Sequence, residues 1–587
     1  MFLEAWFNLT HDRSLESYRV RCHNGRTILA ELDRELVHPF ASPDDIAMIA
    51  AEAKEICTCD HELQLALGGS WPILASLLEK VASKPKKEGE PSGKEATQLA
   101  YVLTDTLSAL PDSYLTKVIA ALEVAVTGAQ DAEIVRLAAC LASELAARGW
   151  AVASLHSWVQ TTFLANPPSG EPFLERFRFF ARRVQQPRQL YEVVICLSGS
   201  SDLQKLGDFC GYRFSPTPPV VADYNLRAAQ SLTKFLRLHP LRTYASTTLK
   251  AVDRLSAAHA ALEAFAKCQD RLRFNFSPEP VLNDGQRLLI TRLADQKQRL
   301  VPVVFGLPRP EHHLPLGPFL AANRRLDELF GSNQLDNSSL RRIEAAARHY
   351  RLGLEGLAYH DMLLHWWMGL ETLTNSGDGK GGIGGKVVGN AVPLLTHRYF
   401  ALQLRSLARL VGFTCRNWPT EVTNLVGGPP AQKLNWTKIV TVLQDAGASK
   451  AVADALDNHP WVRNRWLHFQ ELSTVPLILA GYLSDHERLV HWHLHRLYRI
   501  RCCLVHGTPV LMPLQLPAAN LEYYLREAIY VVLIALGRAS QLKSLEVLFA
   551  RAQYCSMRRK AILTGPGANA KSIRATLETD LTFQICP

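Results

Sequence analysis

Apolar positions recur every three to four residues along most of the chain, a period that predicts helices. A helical block is expected over 97–187, in pieces 98–109, 112–126, 130–148, 150–164 and 170–186, with Asp112 and Asp131 at capping positions. The pattern shortens at both ends of this block. Within 1–82, Tyr18–Cys22 and Thr27–Leu32 read as strands joined through Asn24-Gly25, a hairpin-turn signal, followed by a helix over 64–82. Beyond Leu190, YEVVICL, Leu272–Phe276 and Arg299–Phe305 read as strands around a helical stretch over 225–268. The period returns to helix from Ser339. SLRRIEAAARHYRLGLEGL and DMLLHWWMGLETL come first, with Leu352, Leu363, Leu364, Trp367, Leu370 and Leu373 as a bundle core. Further helices follow over 392–411, 430–458, 462–482 and 490–506, then LEYYLREAIYVVLIALGR and LKSLEVLFARAQYCSMRRKAI.

The fold class is therefore mainly α, a C-terminal helical bundle preceded by a mixed α/β region. The expected divisions are a small mixed α/β region over 1–82 and a charged Pro/Gly linker over 83–96 (SKPKKEGEPSGKEA), then the helical region 97–187. A mixed α/β sensing or regulatory region over 188–335, the helical domain 336–560 and a loosely packed tail over 561–587 complete the chain.

Composition changes this picture little. Of 587 residues 47% are hydrophobic, enough for real cores, and the net charge of +10 permits a nucleic-acid partner without requiring one. The 12 cysteines contain no CxxC pair, which argues against zinc-ribbon or thioredoxin-like chemistry. Cys57, Cys59 and His61 lack zinc spacing. No apolar run approaches a membrane span and the N-terminus does not read as a signal peptide, so a cytoplasmic protein without membrane contact is expected. The run SGDGKGGIGGK over 376–386 fails as a phosphate loop, because Lys380 stands where the opening Gly belongs and Val387 where Ser or Thr belongs. It reads as a mobile loop. The basic helix FLERFRFFARRVQQPR carries Arg176, Arg178, Arg182, Arg183 and Arg188, as a solvated face or an RNA-contacting surface.

Candidate chemistry concentrates in VHWHLHRLYRIRCCLVHG, residues 490–507. Gly507 and Pro509 should end this helix. Leu494, Leu497, Tyr498, Leu504 and Val505 share one broad apolar face, and Arg501 falls within it. An arginine cannot discharge itself by losing a proton, so it needs a carboxylate, an interface or an anionic substrate. Glu371 is the candidate carboxylate. His506 stands at the last turn, suited to general acid–base work, while an arginine fork suits a phosphate. Together the two fit cleavage of RNA by its own 2′-hydroxyl, which needs no metal and spares DNA. The two positions differ by about 140° around an ideal helix. Either the last turn distorts or a symmetric dimer completes the site. Arg499 and His495 lie on the side of His506, Arg499 as a phosphate contact or plain surface. His491 and His495 have metal spacing without an acidic third ligand. Cys502 is a nucleophile candidate or a buried small side chain.

The run from Leu497 to Gly507 resembles the core motif of HEPN domains, most closely the ApeA-like branch with its Y-x-x-R-S-x-[IL]-V-H-G pattern. The upstream helices ending in Leu370-Glu371-Thr372-Leu373 are similar to that branch's first helices, and the likeness covers about 340–560. It implies an all-helical, often dimeric domain that cleaves RNA, tRNA among the candidate targets, without metal or other cofactor. Arg501 and His506 match its catalytic pair. Around that pair, Arg499, Cys502, Glu371, His495 and Tyr498 are expected as supporting or substrate-binding residues. Such domains often serve in bacterial defence against phage, abortive infection or toxin systems, with a separate region that senses a phage-derived or nucleic-acid trigger. Cys502 departs from the branch's serine. The alternative is a non-catalytic module that dimerises or binds nucleic acid, with Arg501 as a structural ion-pair residue.

Overall fold

The computed structural model describes the chain except residues 12–13, 15–22, 39–40, 84–92, 166–170, 199–200, 219–225, 239–242, 276–281, 284–286, 303–323, 325–326, 329–330, 332–334, 357, 376–382, 416, 428–435, 508–509, 511–513, 539–541 and 579–587. The expected strand Tyr18–Cys22, most of the linker and most of the glycine-rich run lie outside the described residues.

The first third is helical throughout its described residues. It comprises α1 (Phe2–Thr10), α2 (Gly25–Leu36), α3 (Pro43–Thr58), α4 (His61–Leu67), α5 (Trp71–Ala82), α6 (Gly93–Thr127), α7 (Asp131–Ala147), α8 (Val152–Val159) and α9 (Phe173–Val184). One core joins them, from Phe2 and Trp6 through Leu103 and Tyr114 to Phe177 and Phe180. The expected strand Thr27–Leu32 is instead the body of α2, and Asn24-Gly25 is a helix start. Asn24 Oδ1 accepts from Thr27 N at 2.9 Å, and Thr27 Oγ1 accepts from Asn24 N at 3.0 Å, a reciprocal cap. Gly25 is there for closeness: a Cβ at this position would meet Leu63 Cδ2 at 2.5 Å. Its N–H donates to Asp60 Oδ2, which also accepts from the Tyr114 hydroxyl at 2.6 Å. Ile28, Leu29 and Leu32 then bury on one face, which a helix provides and an exposed hairpin would not.

The break expected at Pro111-Asp112 is absent. The helix α6 runs unbroken through both, because burial of Leu103, Leu110, Tyr114 and Leu115 outweighs the roughly 3 kcal/mol that an interior proline costs. Its start at Gly93 also takes in the end of the expected linker. Gln130 and not Asp131 precedes α7.

A sheet follows: β1 (Gln189–Ser198), β2 (Asp208–Phe209), β3 (Tyr212–Ser215), β4 (Thr243–Ala251), β5 (Leu282–Asn283), β6 (Arg287–Arg292) and β7 (Lys297–Pro302). The order is β2-β3-β4-β1-β6-β7, with β5 also on β1, and every pairing is antiparallel. Both faces are covered. Val193, Ile195 and Ile290 pack on α11 (Arg254–Asn275) through Ala257, Ala261 and Phe265. Val194, Cys196 and Leu289 pack on α10 (Leu226–Leu238) through Leu232 and Phe235. The expected helix over 225–268 is thus two helices separated by β4, and Leu272–Asn275 ends α11 instead of forming a strand. In β4 the polar run Ser246–Thr248 masks the strand signal, while full pairing with β1 (Val194↔Ser246, Val193↔Thr247) satisfies its backbone.

The remainder is helical: α12 (Asn337–Glu355), α13 (Tyr359–Thr374), α14 (Ile383–Thr396), α15 (Tyr399–Thr414), α16 (Thr420–Val426), α17 (Trp436–Gln444), α18 (Ala446–Ala455), α19 (Pro460–Thr474), α20 (Pro476–Val505), α21 (Gln515–Arg538), α22 (Leu545–Thr564) and α23 (Ala570–Glu578). Two cores divide it. The first joins α12–α14, the second half of α20, α21 and α22, around Trp366, Trp367, Leu494, Leu525 and Val532. The second joins α15–α19, the first half of α20 and α23, around Leu404, Trp466, Leu479 and Ile573. The expected helix over 462–482 breaks at Val475-Pro476. Leu352 and Leu364 stay half-buried outside the first core. Among the described residues of the expected tail, α23 is packed, burying Ile573 and Leu577.

Replacing Asn24 by alanine removes the α2 cap and the amide that donates to the buried Glu144 carboxylate at 3.1 Å. The expected loss is about 1–2 kcal/mol, read from urea unfolding.

Candidate functional site

The helix α20 spans both C-terminal cores, and its last three turns have two differently occupied sides. On the bundle side, Leu494, Leu497 and Ile500 are buried. Tyr498 lies against Trp367 with ring centroids 5.6 Å apart. Burial, and after it Cys502, raises the Tyr498 phenol above its ordinary value. A Cβ on Gly384 would come within 2.8 Å of the Tyr498 ring. This part of the glycine-rich run is therefore the first turn of α14, and its small residue serves close packing. Trp367 Nε1 donates to Glu371 Oε2 at 2.8 Å, and that same oxygen lies 3.8 Å from Arg501 Nη2. Glu371 thus stands where a partner for Arg501 was sought. The contact is an ion pair without hydrogen-bond distance, with the Arg501 side chain 26% exposed. At that exposure it contributes little to stability, about 0–1 kcal/mol, and leaves the guanidinium open to another anion.

His506 ends α20. Its N–H donates to Cys502 O at 3.0 Å, and its backbone (φ −90°, ψ 6°) leaves the helix there. Gly507 follows at φ +69°, the left-handed turn that glycine makes without strain. His506 is exposed, and so is Val505, which leaves the apolar face where the sequence had placed it. Cys502 is half-buried.

The other side of α20 is closed by the N-terminal helices. Arg496 is buried, with Nε 2.8 Å from Glu31 Oε2 and Nη2 2.6 Å from Glu52 Oε2. Arg499, one turn on, donates to Glu31 Oε1 at 2.8 Å and has Glu35 and Asp45 at 3.8 and 3.9 Å. His23 Nε2 lies 2.8 Å from Glu31 Oε2. Burial pushes the Glu31 carboxyl up, but Arg496, His23 and Arg499 outweigh it and hold it well below its ordinary value. Cys503 Sγ is 3.7 Å from His38 Nε2, and Arg488 pairs with Glu55 at 2.8 Å. Arg499 is therefore neither surface nor open to a phosphate, since an incoming anion would have to displace a buried carboxylate. The His495 ring lies tilted beside that of His491 with centroids 4.6 Å apart, and burial, His491 and Arg499 lower its pKa to about 4, so it stays neutral near pH 7. Among the described residues no group of three or more His, Cys, Asp or Glu side chains is placed to hold a metal ion.

Arg496 and its carboxylates were not anticipated. Their signal was present: Arg496 and Arg499 stand i,i+3 on one side, and Glu31 and Glu35 stand i,i+4 on α2, like charges that repel unless a cation faces them.

Two outcomes follow. Glu31→Gln leaves two buried guanidiniums short of a counter-charge, and a loss of about 3–5 kcal/mol is expected in urea unfolding. A depressed carboxyl stabilises above its unfolded pKa, about 4.3, and loses that contribution as pH falls through the native value. The stability gap between wild type and E31Q should therefore hold at pH 5–7 and narrow only below about pH 4.3, measured by unfolding at each pH. Separately, Gly384→Ala should cost about 1–3 kcal/mol and perturb Tyr498 fluorescence, because the added methyl enters the ring's volume.

No helix among the described residues is long and apolar enough to cross a membrane. No protein-family model, no curated protein and no solved structure matches the chain.

Proposed function

We propose that the chain is a metal-independent endoribonuclease that uses Arg501 and His506. The observation that carries the reading is the end of α20, where an arginine in a long, part-exposed ion pair with Glu371 precedes an exposed histidine by one and a half turns. The sequence resemblance to HEPN domains over Leu497–Gly507 supports it and names the reaction. The 2′-hydroxyl of a ribose attacks the adjacent phosphorus and the 5′-oxygen of the next nucleotide leaves, giving 2′,3′-cyclic phosphate and 5′-hydroxyl ends. His506 exchanges the proton with an attacking or leaving oxygen. Arg501 spreads its fork over two phosphoryl oxygens as charge builds on them. Glu371, fixed by Trp367, orients that fork. Tyr498 and Cys502 hold the turn on which the arginine stands. The second proton-transfer group, which one histidine cannot be at the same moment, comes from a second copy of the chain in a dimer. RNA, with tRNA among the candidates, is the substrate. Control by the N-terminal regions, in answer to a phage-derived or nucleic-acid trigger, fits their buried attachment to the same helix.

The second reading is a non-catalytic module. The Arg501–Glu371–Trp367 chain of contacts favours it, since those contacts also suit a purely structural arginine. Purified wild-type and His506→Ala proteins, given total tRNA and mixed RNA in excess EDTA, distinguish the two. The nuclease reading expects wild-type cleavage with cyclic phosphate ends and a loss of about 10²- to 10⁴-fold in H506A, which stays folded. Arg501→Ala should lose activity to a similar degree while losing about 1 kcal/mol of stability or less. Equal cleavage by wild type and H506A overturns the assignment.

A further inference from the structure

We propose that Arg183, Arg254 and Arg292 form a binding site for a phosphate group at the seam between the N-terminal helices and the sheet. The site is separate from the end of α20 and independent of the reading given to it. Three elements bring the arginines together. Arg183 lies in the last turn of α9, Arg254 opens α11, and Arg292 ends β6. Tyr191 of β1, almost fully buried, sits among them and feels the charge of all three.

The compensation around these cations is unequal. Arg292 Nε donates to Asp295 Oδ1 at 2.7 Å, and Asp295 also holds Lys297 Nζ at 3.2 Å, so one carboxylate serves two cations. Arg183 lies 4.5 Å over the Trp158 ring and donates through Nη1 to Gln186. Arg254 Nη2 donates to the Lys297 carbonyl at 3.3 Å. Among the described residues neither Arg183 nor Arg254 has a carboxylate at ion-pair distance, and the Nε of each is enclosed without a hydrogen-bond partner. Asp253 is the other acid in the seam. One of its oxygens caps α11 through Ser256 N at 2.7 Å, and burial raises its pKa, which weakens it as a counter-charge.

Guanidiniums cannot discharge, so their crowding has to be borne as repulsion. Burial, and after it Arg292, lowers the affinity of both Arg183 and Arg254 for their protons, with Arg299 adding to the effect on Arg254. An anion in the seam reverses that effect. A phosphate fits better than a carboxylate, because its oxygens point in several directions and take the forks of Arg183 on α9 and Arg254 on α11 together, while Arg292, engaged by Asp295 through Nε and Nη2, adds its charge. Exposed Lys297 and Arg299 on β7 supply a positive approach from solvent. Clusters of perturbed charge whose internal counter-charge is incomplete are a mark of binding sites. The basic helix that the sequence offered as a solvated or RNA-contacting face thus turns one arginine inward. Arg178 is spent on Glu123 and Glu175, and Arg176 on the carbonyls of Phe163 and Glu171.

The test uses full-length protein and three ligands: inorganic phosphate, adenosine 5′-monophosphate and a short single-stranded RNA without a terminal phosphate. Calorimetry and thermal unfolding are followed for wild type, R183Q/R254Q, and the control R213Q on β3. The expected result is millimolar or tighter binding of inorganic phosphate or the nucleotide with a raised Tm. Binding should be at least tenfold weaker in R183Q/R254Q and unchanged in R213Q, and the ligand-free Tm of the double variant should not fall below wild type. Binding of the RNA alone, lost in the same variant, assigns the site to a phosphodiester. Should the double variant fail to fold, Arg183→Lys keeps the charge and removes the fork, and weaker phosphate binding is expected. Equal binding by wild type and these variants, or no binding of any of the three ligands to wild type at millimolar concentration, overturns the proposal.

Discussion

Arg496 and Arg499 stand on a helix whose neighbouring positions are apolar, and neither guanidinium can be neutralised by losing its proton. Packing that helix against anything therefore requires carboxylates to arrive with the packing surface. Glu31 and Glu52 of the N-terminal helices meet this requirement, with Glu31 placed between both arginines and His23. Desolvating such a set is costly, and it stabilises only when every partner is in place. The arrangement thus acts more as a lock on position than as a source of stability: α2 and α3 seat on α20 in the register that brings Glu31 between Arg496 and Arg499.

That lock defines what the end of α20 can offer. One side is committed to the N-terminal helices, the other to the bundle through Leu494, Leu497 and Tyr498, and what remains accessible is the final turn with Arg501 and His506. The contrast between Arg499 and Arg501, two residues apart, is electrostatic and geometric. The first has a buried carboxylate at 2.8 Å and the second a part-exposed one at 3.8 Å. The second leaves a part-exposed fork that an external anion can take without displacing a buried carboxylate. The arginines at the sheet seam form the opposite case to Arg496, with cations gathered by folding while their counter-charge is left incomplete.

Much of the helical organisation was legible, because long segments with a 3.6-residue apolar period have few other ways to bury their stripes. The β1 strand was legible for the same kind of reason, its apolar run being buried on both faces. The misreadings share a cause. Asn24-Gly25 carries the same two residue types whether it turns a hairpin or caps a helix whose backbone must approach Leu63. Pro111 ordinarily breaks a helix, and only the partners on either side of α6 make continuity cheaper. β4 is too polar to announce itself and exists because β1 and β3 flank it.

The sequence by itself determined the identity of the candidate pair, the helix that carries it, its glycine stop and the need of Arg501 for an acid such as Glu371. These are local properties, set by periodicity, by glycine's access to positive φ and by a charge that cannot be removed. Tertiary structure alone decided that Arg499 is enclosed while Arg501 is not, that His495 is held neutral, and that Gly384 is a packing contact. Those outcomes depend on which distant side chains arrive beside each residue: Glu31 from 468 positions earlier in the chain, Glu371 from another helix of the bundle. No spacing along the sequence encodes that meeting, because it is fixed by the burial of several cores at once.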